Sequence, residues 1–149
     1  MDGIPKPVTK VHLILRATAW LAVALWLISM FLPVVTINNG GVPNVLDGAH
    51  ILKNGWVGPL MLQFGWYANI LMLPAACATG RIATVRKRRY IILAAVLIAF
   101  WTNTLFWSSV TGFTGEAPIV SRHAGYYLWM AATGIIGSLL MWLAVGAEK

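Results

Sequence analysis

Four apolar stretches of about twenty residues each dominate the sequence, and they leave the chain few ways to fold. The hydrocarbon core of a bilayer, about 30 Å thick, matches about twenty helical residues. A soluble domain of 149 residues has no interior large enough for four such stretches. The sequence therefore predicts an all-α fold, a four-helix transmembrane bundle that forms one integral-membrane domain over residues 1–149. The predicted spans cover residues 17–35, 57–79, 90–110 and 125–145.

Composition supports the same interpretation. Hydrophobic residues make up 59% of the chain and charged residues only 10%, whereas ordinary soluble domains carry about 25% charged residues. Nine of the eleven Lys and Arg residues precede the first stretch, separate the second from the third, or end the chain. Only Lys53 and Arg122 lie in the other two connections. Because excess Lys and Arg marks the cytoplasmic side of a membrane, both termini are predicted to be cytoplasmic.

The connections between the spans contain the predicted contact surfaces. The short inner connection carries a basic run, which we expect to contact anionic lipid headgroups on the cytoplasmic side. The net charge of +7 is therefore interpreted as a topology signal, and no nucleic acid partner is predicted. The first outer connection presents a Gly-Trp pair that could contact headgroups or a partner. The residues of these two surfaces are Arg86, Lys87, Arg88, Arg89, Gly55 and Trp56.

Several polar side chains fall inside the predicted spans, where no water is available to satisfy them. Gln63 and Asn103 lie at similar depth on neighbouring antiparallel spans, so we expect an amide pair, with Thr102 as a possible shared partner. Asn69 lies one turn from Trp66, whose indole N–H needs an acceptor. This cluster either holds helices together or lines a path for a small ligand or ion. Ionisable residues usually mark such paths, and none lies at mid-membrane depth in the predicted spans.

Small residues in the fourth span predict close helix packing. Gly134 and Ser138 are four residues apart, a spacing that lets two helices approach closely. This face could pack inside the bundle or against a partner subunit.

No catalytic or metal signature is recognisable in the sequence. His50, His123, Asp47 and Glu116 lie in the outer connections, but their spacing matches no metal-ligand motif. The single cysteine, Cys77, cannot form an intrachain disulfide. The sequence therefore predicts no enzyme activity, no metal and no cofactor.

Two sequence segments resemble a known group of proteins. Residues 48–60 read Gly-x-x-Ile-Leu-x-x-Gly-Trp-x-Gly-Pro-Leu and are followed by Gln63-Phe-x-Trp66-Tyr-Ala-Asn69; the last span opens Gly125-Tyr-Tyr-Leu-Trp129. With these features the chain resembles small, uncharacterised four-span bacterial inner-membrane proteins. The resemblance implies a multi-pass topology and the bacterial inner (cytoplasmic) membrane, and it implies no activity.

These observations leave two function hypotheses. The first is a non-enzymatic interaction protein of the inner membrane, either an accessory subunit or an immunity-type protein that binds another membrane protein. The alternative is a small channel or carrier lined by the amides of Gln63, Asn69 and Asn103.

Overall fold

A computed structural model describes residues 10–79, 87–112 and 115–146 of the chain. Five α-helices, four β-strands and two short 3₁₀ helices alternate along these ranges. The α-helices are α1 (Lys10–Ser29), α2 (Gly48–Asn54), α3 (Ala68–Thr79), α4 (Lys87–Leu105) and α5 (Ala124–Gly146). The strands are β1 (Pro33–Asn39), β2 (Val42–Asp47), β3 (Ser109–Gly112) and β4 (Gly115–Arg122). The 3₁₀ helices, Gly55–Met61 and Gly65–Tyr67, lie between α2 and α3.

The prediction of an all-α, four-helix transmembrane bundle is wrong. The chain combines its helices with a four-stranded antiparallel sheet of order β2-β1-β4-β3. Within the described ranges, only Lys10–Ser29 and Ala124–Val145 are long and apolar enough, by length and composition, to cross a membrane.

The other two predicted spans are shorter than their apolar stretches suggested. Residues 57–79 do not form one helix, because two 3₁₀ helices and a turn precede α3, which has only 12 residues. At a rise of about 1.5 Å per residue, such a helix is about 18 Å long, well short of the hydrocarbon core. Helix α4 starts with the charged residues Lys87-Arg88-Arg89 and ends at Leu105. The predicted span 90–110 therefore loses its last residues, of which 109 and 110 belong to strand β3.

Both outer connections form β-hairpins, which the hydropathy pattern did not reveal. In the first, Gly40 and Gly41 have φ values of 62° and 92°, and Asn39 pairs with Val42 across them. Positive φ at both central residues is typical of a two-residue hairpin turn, and glycine adopts it without strain. The β-branched residues at the end of the first apolar stretch, Val34 and Val35, favour the strand that leads into this turn.

The two hairpins join into one sheet through β1 and β4. Val35 pairs with Arg122 and Thr36 with Ser121, so segments nearly ninety residues apart in sequence lie side by side. The sheet therefore lies at one end of the helical layer, where short connections join it to the end of α1 and the start of α5.

Two hydrophobic clusters hold the structure together. The larger one fills the space between α1, α3, α4 and α5, where Met72, Leu97, Ile136 and Leu140 are fully buried. Many alanines in this cluster, Ala22 among them, are also fully buried, which lets the helices approach closely. The smaller cluster lies beneath the sheet and consists of Val34, Val35, Ile37, Leu46, Tyr126 and Met130.

Candidate functional site

A cavity of about 550 Å³ lies where the sheet, α2 and the 3₁₀ helices meet the adjacent ends of the long helices. Its walls are largely aromatic and aliphatic, with polar side chains at a few positions. The aromatic lining consists of Trp56, Trp66, Trp107, Tyr126 and Trp129; the polar lining includes His50, Gln63, Asn69, Thr104, Ser109 and Glu116. A concave apolar site with a few polar groups is the usual form of a binding pocket.

The floor of the cavity is organised by one amide, that of Asn69. Its Oδ1 accepts hydrogen bonds from Trp26 Nε1 at 2.8 Å and Trp129 Nε1 at 2.7 Å. Its Nδ2 donates to the carbonyl oxygen of Trp66 at 2.9 Å. An indole N–H can only donate, so the amide must point its oxygen at the two indoles. Asn69 therefore ties α1, α3 and α5 together at one point.

The helices are tightly packed beyond this floor. One turn farther from the sheet along the same three helices lie Ala22, Met72 and Ala132, all fully buried in the main apolar cluster. The cavity thus ends at the Asn69 network, and a closed apolar interior follows it.

One wall depends on a break in the helical path, held in place by Asn103. Leu62 adopts the left-handed conformation with φ 57°, which ends the first 3₁₀ helix. Asn103 Oδ1 accepts from the backbone N–H groups of Phe64 at 2.7 Å and Gly65 at 3.2 Å, and its Nδ2 donates to the Leu62 carbonyl oxygen at 3.0 Å. A single side chain on α4 therefore satisfies three backbone groups that the break would otherwise leave free.

Glycines allow this wall to pack closely. A Cβ on Gly65 would collide with the hydroxyl of Thr104, and a Cβ on Gly55 would collide with the indole of Trp66. Trp66 in turn donates from Nε1 to the Leu52 carbonyl oxygen at 2.9 Å. The first 3₁₀ helix is thereby fixed against both α2 and the second 3₁₀ helix.

The polar residues singled out from the sequence separate into distinct positions. Gln63, Trp66 and Asn69 line the cavity. Asn103 lies behind its wall and bonds to the backbone of residues 62–65, so its described partners do not include the Gln63 side chain. Thr102 is exposed on α4 and is not part of this arrangement.

The predicted contact surfaces also lie in different places. Gly55 and Trp56 begin the first 3₁₀ helix, at the edge of the cavity. Lys87, Arg88 and Arg89 form the first turn of α4, away from the sheet, with Arg88 and Arg89 exposed; Arg86 lies outside the described residues.

Helix α5 packs on α4 through a pair of glycines that differs from the predicted Gly134–Ser138 pair. A Cβ on Gly134 would lie 3.3 Å from Trp101 Nε1, and one on Gly137 would lie 3.2 Å from Ile98. Ser138 is exposed. The close-packed face therefore contains Gly134 and Gly137, and it is directed inward.

Two of the outer polar residues have structural partners. Asp47 caps α2 by accepting from the His50 backbone N–H at 2.7 Å. The Nε2 of His123 lies 2.7 Å from the Thr36 hydroxyl, which links β1 to the start of α5. Over the described part of the chain, no group of three or more His, Cys, Asp or Glu side chains is arranged to hold a metal ion.

Sequence reasoning missed several residues of the site, above all Trp26 and Trp129 as partners of Asn69. The available signal was that each tryptophan in an apolar stretch needs an acceptor for its indole N–H. This signal could not show which indole bonds to Asn69. Trp66, the tryptophan nearest to Asn69 in sequence, donates to the Leu52 carbonyl oxygen instead.

The chemistry of the site is that of a pocket for an apolar group. It presents indole and aliphatic walls, a closed floor and amide or hydroxyl groups, and neither Lys nor Arg is among its described lining residues. Known protein families, curated proteins and solved structures contain no match to this chain.

Proposed function

We propose that this chain is a non-enzymatic integral membrane interaction protein that binds another membrane protein, as an accessory subunit or an immunity-type protein. Two features support the proposal: the distribution of exposed apolar side chains over the helices, and a rigid apolar surface beside the cavity. The bacterial inner membrane, which the sequence resemblance implies, is the proposed location.

The exposed surface of the helices suits lipid better than water. Large apolar side chains with about half or more of their surface exposed occur on each long helix; examples are Leu13, Leu21, Ile70, Ile92 and Val145. A soluble monomer rarely exposes so extensive an apolar surface. Several hydroxyl side chains on these helices bond to the backbone of their own helix, as Thr18 does to the Ile14 carbonyl oxygen at 3.0 Å. Such internal pairing is what a lipid environment requires.

Helices α1 and α5 are the segments that we propose to cross the membrane. Both meet the sheet at one end, so the sheet would lie on one side of the bilayer. Lys10, Arg88 and Arg89 lie toward the other end of the helical layer. There they would contact anionic headgroups, with an attraction of about 1 kcal/mol per basic residue near the surface.

The observation that carries the interaction proposal is the apolar ridge, defined as residues 55–64. Along it, Trp56, Leu60 and Leu62 are 58%, 79% and 71% exposed. Asn103 and the close contact between Gly55 and Trp66 hold this ridge rigid. Exposed aromatic and aliphatic side chains on a preorganised backbone bind with little loss of entropy and often dominate an interface.

The alternative of a small channel or carrier receives less support from this geometry. Asn69 closes the cavity floor, and Asn103 is occupied with the backbone of the ridge. A conduction path would need polar groups beyond the floor, where Ala22, Met72 and Ala132 are packed without exposure.

Site-specific photocrosslinking in intact cells tests the proposal. A photoreactive amino acid at Trp56 or Leu60 should give one discrete adduct with a membrane protein. The matched control is Leu13, which is similarly exposed on α1 but lies away from the ridge; it should give lipid adducts only. Identical patterns from all three positions, or no protein adduct from the ridge, would contradict the proposal.

A further inference from the structure

We propose that the cavity is a binding site for an uncharged amphipathic lipid, one with an aliphatic or isoprenoid body and a hydroxyl-type or carbonyl-type head. This inference goes beyond the interaction function, because it concerns a ligand of the cavity, whose described walls all belong to this chain.

The size and walls of the cavity fit a small apolar ligand. Its volume of about 550 Å³ lies within the range of about 300–1,000 Å³ that is usual for small-molecule sites. The rings of Trp107 and Tyr126 stack with centroids 6.5 Å apart and form one continuous aromatic wall. At the floor, the indole N–H of Trp129 is already bonded to Asn69, which leaves this ring to act as an apolar surface.

The ridge extends this apolar surface from the cavity to the outside of the protein. Trp56 and Leu60 belong both to the cavity lining and to the exposed ridge. A long aliphatic chain that lies partly in the cavity can therefore continue across these two side chains. A compact polar molecule would gain nothing from this extension, so the shape favours a lipid.

The charge of the lining selects against ionised heads. Neither Lys nor Arg belongs to the lining as described, so a carboxylate or phosphate head would find no ammonium or guanidinium counter-ion there. Glu116, which lies at the exposed end and accepts a hydrogen bond from Ser109, would repel such a head. A cationic head would gain little binding free energy from this carboxylate, because an exposed ion pair contributes only about 0–1 kcal/mol.

Polar side chains are available for an uncharged head. His50 and Asn44 are exposed lining residues, and Gln63 is half-buried. These side chains can donate to or accept from a hydroxyl or carbonyl group. In this arrangement the polar head of the ligand lies beside these exposed polar side chains, and its apolar body lies against the indole rings.

The test uses dibrominated stearyl alcohol as the probe, because bromine quenches tryptophan fluorescence on contact. The full chain in detergent micelles should show saturable quenching by the alcohol. Dibrominated stearic acid, measured at a pH high enough to ionise its carboxyl group in the micelle, should bind at least about tenfold more weakly, which corresponds to about 1.4 kcal/mol. The corresponding amine should not bind more tightly than the alcohol.

A pair of variants on β4 links the binding to the cavity. Ala117 lines the cavity, so Ala117→Phe should fill part of it and weaken alcohol binding about tenfold, since the ring excludes part of the buried apolar body. Val120→Phe is the matched control, because Val120 is exposed on the same strand and outside this cavity; its affinity should stay near that of the parent.

Circular dichroism establishes that each variant is folded, and the smaller Ala117→Leu replaces Ala117→Phe if the latter misfolds. Quenching that never saturates, or that Ala117 variants leave unchanged, would show micelle partitioning only and overturn the site. Equal or tighter binding of the acid or the amine would overturn its proposed selectivity for uncharged heads.

Discussion

Replacing Asn69 with leucine should destabilise the protein more than any other single amide substitution, because it removes the acceptor of two indoles. Leucine has the same number of side-chain heavy atoms as asparagine and the same branching at Cγ, so the change leaves little empty space. What it leaves instead is two indole N–H groups, on Trp26 and Trp129, without their partner. The Trp66 carbonyl oxygen also loses its bond to Nδ2.

The magnitude follows from these groups. A buried donor without a partner costs about 1–3 kcal/mol, so two of them would cost about 2–6 kcal/mol. Interhelical hydrogen bonds in membranes contribute about 0.6 kcal/mol on average, because the unfolded helices also find partners in the membrane. We therefore expect a loss of about 2–4 kcal/mol in the free energy of unfolding for Asn69→Leu, since Trp26 is well buried at 8% exposure.

Equilibrium unfolding in mixed micelles, followed by circular dichroism, measures this loss. Asn39→Leu, at the exposed end of β1, is the matched control and should change the stability by less than about 0.5 kcal/mol. Adding Trp26→Phe to Asn69→Leu removes one of the unpaired donors. The double variant should therefore lose about 1 kcal/mol less than the sum of the single losses. Additive losses, or an Asn69→Leu variant as stable as the parent, would refute the role of Asn69.

Two further predictions concern the ridge. Asn103→Leu should leave the turn at residues 62–65 without its side-chain partner. Hydrogen exchange of the Phe64 and Gly65 amides should therefore accelerate about tenfold or more, while α5 amides stay protected. Unchanged exchange at those two amides would contradict the role of Asn103. Gly55→Val should force the Trp66 ring to move and lower the free energy of unfolding by about 1–3 kcal/mol. Gly40→Asn at the hairpin turn should cost less, because Gly40 has φ 62° and asparagine tolerates this left-handed conformation. Equal losses in both variants would show that the Gly55 contact is not restrictive.

The helical part of the fold was partly predictable because apolar runs are a strong local signal. The fourth apolar stretch became α5 almost as predicted, with 125–145 expected and Ala124–Gly146 observed. The second stretch is also apolar, but its break at Leu62 depends on Asn103, which lies 38 to 41 residues away from the backbone groups that it binds. Hydropathy reports whether a segment avoids water, and it does not report whether a distant side chain stabilises a turn within it.

The sheet was missed for a similar reason. The predicted spans place Gly40 and Gly41 in the first outer connection, but they count Val34 and Val35, just before this connection, as the end of a helix. Pairing of β1 with β4 joins segments that are far apart in sequence, and single-sequence patterns do not show such pairings. In the same way, Asn69 was identified as a polar residue that needs partners, while its actual partners came from α1 and α5.

The most direct test of the account is a spin-label scan of exposed positions in lipid nanodiscs, since the central claim is that the helical layer contacts lipid and the sheet contacts water. The exposed Cys77 is first replaced by serine, and single labels are placed at Leu21 and Ile92 on the helices and at Val42 and Val120 on the sheet. The account predicts that helix labels collide mainly with oxygen, which dissolves in lipid, and that sheet labels collide mainly with a water-soluble nickel chelate. Helix labels as accessible to the nickel chelate as the sheet labels would contradict it.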